Sequence, residues 1–178
     1  MLAGAAAEPA IEPCAEYEQV EPGHLSNVCS PWPEGDVAYS ATIQASLVPQ
    51  PAAQQVMVYR LDGQWFIRIA GYHWEPGTSV IVTRRNEVPI SAEDAAMIAA
   101  RVDAATLSRL AERPYYGSDL VICTDGASLE LAAASNGSRQ SARQHSCAGE
   151  TEMNEISALF RELAIKYDSE SAEYLGGL

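Results

Sequence analysis

A chain of 178 residues with a hydrophobic fraction of 47% predicts one folded domain and excludes a protein that is disordered over most of its length. Its 24 acidic and 11 basic residues give a net charge of −13, and because such a surface repels phosphate groups we expect no nucleic-acid partner. No apolar run approaches the roughly 20 residues of a membrane-spanning helix, so no membrane span is expected either.

The first 36 residues are predicted to form an irregular arm ahead of a single domain over residues 37–178. Five prolines interrupt this stretch, and proline disrupts both regular helices and central strands. The arm is acidic throughout, because the first Lys or Arg of the chain is Arg60. Its tract Ala5-Ala6-Ala7 is typical of the end of a bacterial signal peptide, although a short natural start gives the same pattern.

Four cysteines fall into two local pairs, Cys14 with Cys29 and Cys123 with Cys147. Paired cysteines behind a signal-peptide remnant indicate two disulfides and an exported protein, either periplasmic or secreted. Closing the first of these loops contributes about 3 kcal/mol in the chain-entropy view. The cysteines lack the C-x2-C spacing of a zinc or redox site, so we expect neither a metal nor a cofactor.

The clearest predicted element is a β-hairpin about Asp62-Gly63, a dipeptide that type I′ turns favour. Pairing Leu61 with Gln64 sets its register and brings Arg60 opposite Trp65. The other face of the hairpin is also fairly apolar, so we expect the arm to cover that face or an edge of the sheet. The residues predicted to point to the core are Val56, Val58, Trp65, Ile67 and Ile69.

A second hairpin is predicted to turn at Asn136-Gly137, which places Glu130 opposite Arg143 as a cross-strand ion pair. Its basic face carries Arg139, Arg143 and His145, a set that suits an anion. Because Glu130 already offers a partner, we expect a salt-bridged surface there instead. Three single strands are predicted as well, over residues 37–48, 79–83 and 119–123.

Three helices are predicted from apolar positions at helical spacing. The first opens at Ser91 with Asp94 three residues later, which resembles a capping box. The second ends before Pro114, and the third and longest runs from Thr151 to about Asp168, followed by a loose tail over residues 174–178. Together these patterns predict an α+β fold, with five to six antiparallel strands, two short helices and a long C-terminal helix. The inward positions of the short helices are Ala95, Ile98, Ala99, Val102, Leu107 and Leu110.

The segment from Gly71 to Gly77 is the strongest candidate for a site, because it carries two aromatic rings, an imidazole and a carboxylate between two glycines. Aromatic rings with a few polar groups on a loop line many ligand sites. A wide connection whose rings cap the open end of a sheet gives the same composition. The candidate ligand-binding residues are Tyr72, His73, Trp74, Glu75, Arg84 and Arg85.

These observations predict a non-enzymatic exported domain that binds a protein partner or a component of the cell envelope. The chain contains no G-x-S-x-G elbow and no phosphate-binding glycine loop. One alternative is a small hydrolase or lyase built around His73 and Glu75. Another is a secreted inhibitor that presents the loop between Cys14 and Cys29.

Overall fold

One antiparallel sheet with helices on one of its faces makes up the fold. The computed structural model of the chain describes residues 12–13, 37–45, 53–73, 81–114, 126–149, 151–173 and 175. Within those ranges, six long strands and one two-residue strand pair in the order β1-β7-β6-β2-β3-β4-β5. The strands are β1 (Glu12–Pro13), β2 (Val37–Ala45), β3 (Ala53–Leu61), β4 (Gln64–His73), β5 (Ile81–Pro89), β6 (Ala127–Ser135) and β7 (Ser138–His145).

The helices are α1 (Ala92–Arg101), α2 (Ala104–Ala111) and α3 (Glu152–Tyr167). They pack on one sheet face around a core that includes Val56, Ile67 and Phe160. The predicted α+β class, with its two short helices and long C-terminal helix, is confirmed.

Both hairpins adopt the predicted turns and registers. Leu61 pairs with Gln64, and Ser135 pairs with Ser138. Each turn holds two residues at positive φ, with values of 50° and 80° for Asp62 and Gly63, as a type I′ turn requires. The Arg60 guanidinium lies 5.7 Å from the centre of the Trp65 ring, which confirms the predicted stacking.

Four strand boundaries differ from the prediction, in which β3 began at Val56, β4 ended at Ala70, β5 ended at Thr83 and β7 ended at Cys147. β3 begins at Ala53 and β4 continues to His73. β5 continues to Pro89, well beyond the predicted end at Thr83, because residues 84–89 pair with β4 in spite of their charge. β7 ends at His145, where the chain turns into a 3₁₀ helix over Ser146–Ala148. Cys147 therefore lies in this turn instead of the strand.

The first helix begins with half of the predicted capping box. The Ser91 hydroxyl accepts a hydrogen bond from the backbone N–H of Asp94, as expected. The reciprocal bond is absent between these two residues, because the Ser91 N–H donates to the Tyr167 hydroxyl instead. A complete capping box forms at the start of α3, between Thr151 and Asn154.

The chain beyond α3 is more ordered than predicted. A 3₁₀ helix spans Ser169–Glu173, and the side chain of Leu175 is fully buried in the core. The Arg161 guanidinium donates to the Leu175 carbonyl at 2.9 Å. The expectation of a loose tail is wrong at Leu175, because a leucine that reaches the core gains more from burial than the chain loses in freedom.

Several predictions fall outside the described residues. They are the irregular form of residues 14–36, the strand over residues 119–123, and the pairing partners of the cysteines. Cys147 itself is disulfide-bonded, and its partner is not among the described residues. The Cys123–Cys147 and Cys14–Cys29 pairings stay predictions.

Candidate functional site

The structure brings four of the six candidate ligand-binding residues onto neighbouring strands. Tyr72 and His73 end β4, where they pair with Val82 and Ile81, and Arg84 lies next along β5, opposite Gly71. Arg85 pairs with Ala70 in the antiparallel ladder. Trp74 and Glu75 lie outside the described residues. The backbone of the aromatic segment therefore lies next to the strand that carries the two arginines.

A β-bulge separates the two halves of this candidate site. Gly71 pairs with Arg84 but Tyr72 pairs with Val82, so the register shifts by one residue between Gly71 and Tyr72. Bulges change the direction of the strand locally and are common beside functional sites. β5 is the last strand in the sheet order of the described chain, which places the bulge at an edge. The bulge and the paired residues on either side of it, 70–73 of β4 and 81–85 of β5, are called the β4–β5 edge below.

A polar cluster lies further along the same two strands, in which Arg68 and Tyr59 are buried and Glu87 is exposed. The Arg68 Nε atom donates to a Glu87 carboxylate oxygen at 2.5 Å, and its guanidinium lies 5.3 Å from the Tyr59 ring centre. Burial, followed by a hydrogen bond with Glu87, raises the pKa of Tyr59 to about 12. The tyrosine is therefore neutral at physiological pH. Its hydroxyl takes part in a hydrogen bond with Glu87, and its ring packs against the Arg68 guanidinium.

Sequence reasoning missed this cluster for one specific reason. The hairpin register already placed Tyr59 and Arg68 on neighbouring strands, but the partner carboxylate was assigned to no strand. Glu87 lies four residues beyond the predicted end of its strand at Thr83. Residues 84–87 are all polar, so no alternation of polar and apolar positions marked them as a strand.

The basic face of the second hairpin is neutralised, as the sequence predicted. Glu130 accepts ion pairs from Arg139 and from Arg143, the latter at 2.6 Å. Arg139 is buried and Arg143 is exposed, so the carboxylate joins an interior guanidinium to one at the surface. The Nδ1 atom of His145 accepts from the backbone N–H of Cys147 at 3.3 Å and caps the 3₁₀ turn. These groups stabilise the hairpin.

The junction of α1 and α3 holds a buried carboxylate. Asp94 accepts hydrogen bonds from the Lys166 ammonium at 2.8 Å and from the Tyr167 hydroxyl at 2.5 Å. The Ser91 hydroxyl donates to the same carboxylate at 2.9 Å. The Lys166 hydrogen bond, then that of Tyr167, lowers the pKa of Asp94 below its usual value. The cluster joins the start of one helix to the end of another.

Ion pairs between α2 and α3 give Glu152 a different role from the one its position suggests. The sequence places it on the polar face of α3, where it looks like solubilising charge. In the structure it accepts a bidentate pair from Arg109, at 2.5 and 2.6 Å, and a longer one from Arg113. The Arg109 hydrogen bond lowers the pKa of Glu152. Glu152 therefore connects two helices.

In the described ranges, no three His, Cys, Asp or Glu side chains gather as a metal site would require. None of the helices found there combines the length and the apolar character needed to cross a membrane. Comparison with protein-family models, curated proteins and solved structures found no match.

Proposed function

We propose that this protein is an exported, non-enzymatic domain that binds a protein partner or a component of the cell envelope at the β4–β5 edge. The observation that carries the proposal is the juxtaposition of Tyr72 and His73 with Arg84 and Arg85 across a bulge in the last strand pair of the described sheet. An edge strand offers main-chain donors and acceptors to an extended partner segment. Two neighbouring arginines favour carboxylates on that segment.

Three carboxylates elsewhere in the described fold take part in structural contacts. The carboxylate of Asp94 is buried, and those of Glu130 and Glu152 are partly buried. Each of the three accepts contacts from two or more donor groups of the protein. A carboxylate committed to several donors inside the fold contributes to stability. The hydrolase or lyase alternative is built around His73 and Glu75, and the inhibitor alternative presents the loop between Cys14 and Cys29. Glu75 and that loop lie outside the described residues.

Site-specific photo-crosslinking tests the binding edge. We expect a photoreactive amino acid at Arg84 to give a discrete covalent adduct in the native cells, with excess purified wild-type protein suppressing it in extracts. The matched control is the same substitution at Arg101, an exposed arginine on α1. A sharp band identifies a protein partner, and a smear that collapses with a muramidase identifies an envelope polymer. Equal adducts from both positions, or none from Arg84, would contradict the proposal.

Export with two disulfides makes a separate prediction. Protein isolated from native cells and denatured without reductant is expected to take up no alkylating reagent at its four cysteines. After digestion, mass spectrometry should show Cys14 joined to Cys29 and Cys123 joined to Cys147. The same sample reduced before alkylation is the control and should gain four labels. Four labelled thiols without reductant would overturn export. The crosslinking experiment tests the binding edge independently of this result.

A further inference from the structure

The central strands of the sheet are buried on both faces, although the described helices pack on only one. The face opposite the helices carries an apolar patch made of Ala38, Met57, Tyr59, Ala132 and Ala134, called the opposite-face patch below. Met57 and Ala132 are both 0% exposed. An antiparallel sheet with one solvated face instead alternates buried and polar positions. A second layer therefore covers this face.

Side chains of the sheet itself cover only part of this face. Ala132 lies between Ala134 and Glu130 on its strand, and the Arg139 guanidinium, which starts opposite Ala134, reaches Glu130 across it. The Arg139 side chain is itself only 9% exposed, although it lies on the face opposite the helices. Chain that passes above the sheet must therefore cover Arg139 as well as Met57.

The topology indicates which segment passes there. Pro13 pairs with Ser138 and Val37 pairs with Ser135, so residues 14–36 leave and rejoin the sheet at the same end. Three strand spacings separate β1 from β2, a distance of about 14 Å. A segment of roughly 23 residues can reach about 75 Å when extended. It is long enough to cross the sheet and return.

The helix face at this end of the sheet is already occupied. α2 packs against β7, where the Gln140 amide donates to the Ser108 hydroxyl at 2.7 Å and to the Ala104 carbonyl at 3.2 Å. A chain that passes from β1 to β2 over β7 and β6 therefore has the opposite face open to it. The connections over residues 46–52, 74–80 and 115–125 meet the sheet at its other end, as the pairing of Ala45 with Ala127 shows.

Composition favours the same segment through its aromatic residues. Residues 14–36 contain Tyr17 and Trp32, whose rings suit a patch of small apolar side chains. The buried arginines of this face, Arg68 and Arg139, already pair with Glu87 and Glu130, so apolar contact, and not charge, favours the segment here.

We propose that residues 14–36 lie across the opposite-face patch and form the second layer of the domain. This arm is then an integral part of the fold, and the β4–β5 edge is the part of the sheet left for a partner. The proposal does not depend on the binding function, because it concerns contacts within one chain.

Photo-methionine tests the proposal without a disruptive substitution, since it replaces the methionines by a near-isosteric analogue in the full chain. Met57 lies in the opposite-face patch. Met153 is on the buried face of α3, and Met97 is exposed on α1. No Lys or Arg precedes Arg60, so trypsin leaves the arm joined to Met57. Digestion of the reduced sample with a glutamate-specific protease cleaves after Glu18 and Glu34 but not at Glu21–Pro22, and so separates residues 19–34 from it.

The expected result is a crosslink from Met57 to a fragment within residues 14–36. Met153 should crosslink to core residues of the described sheet and helices, which verifies that the protein is folded. Met97 should give no crosslink to the arm. Crosslinks from Met57 to residues 46–52, 74–80 or 115–125 in place of the arm would overturn the proposal. So would a Met57 that crosslinks only within the sheet.

Discussion

Replacing Glu130 with alanine is expected to lower the free energy of unfolding by about 3 kcal/mol. The carboxylate accepts ion pairs from Arg139 and Arg143, whose side chains are 9% and 65% exposed. Without Glu130, the buried Arg139 guanidinium loses the carboxylate that offsets the cost of its desolvation. Urea unfolding followed by circular dichroism measures the loss as a lower midpoint with an unchanged slope.

Two controls separate the buried ion pair from the exposed one. Arg143→Ala should cost less than about 1 kcal/mol, because a solvent-exposed pair contributes little. The double variant Glu130→Leu/Arg139→Met removes both buried charges together and should recover most of the lost stability. Equal losses from Glu130→Ala and Arg143→Ala would show that burial of Arg139 does not determine the effect.

Replacing Asp94 with asparagine is expected to cost about 2 kcal/mol at pH 7, since the change removes the charge from several hydrogen bonds. The Asp94 side chain is only 7% exposed, whereas that of Lys166 is 59% exposed. Most of the loss should therefore come from the buried carboxylate and its Tyr167 and Ser91 partners. Lys166→Met, the control, should cost less than about 1 kcal/mol.

The difference between wild type and Asp94→Asn should depend on pH in a defined direction. The ordinary pKa of an aspartate side chain is 3.8. In the folded state the Lys166 hydrogen bond, then that of Tyr167, lowers the pKa of Asp94 below this value. A depressed pKa contributes stability that is fully present above the unfolded value and is lost as the pH falls through the folded one. The two proteins should therefore differ equally from pH 7 to about pH 5 and converge below pH 4. A difference that persists unchanged at pH 2 would contradict this account.

Local patterns in the sequence were sufficient for most of the architecture. The dipeptides Asp62-Gly63 and Asn136-Gly137 predicted both hairpin turns, and the register that follows from them predicted the Glu130–Arg143 pair. Helical spacing predicted the buried faces of all three helices. These features depend on residues a few positions apart, whose conformations are set by turn chemistry and by the hydrophobic period.

The candidate site was predictable only in part. The sequence brought Tyr72 and His73 to attention for their composition, and the sheet shows that Arg84 and Arg85 lie on the adjacent strand. The bulge between the two halves has no counterpart in the pattern of residue types. A one-residue shift in register arises from how two strands accommodate each other, so it becomes visible only when both are paired.

By itself, the sequence determined the class of the fold, the two hairpin registers and the spans of the helices. Only the tertiary structure decided which partners the charged groups take. Asp94 meets Lys166 across 72 positions of the chain, and Arg109 meets Glu152 across 43. It also decided that Leu175 reaches the core and that the central strands are buried on both faces. Such contacts depend on which elements pack together, and packing is settled by the burial of whole faces and not by neighbours along the chain.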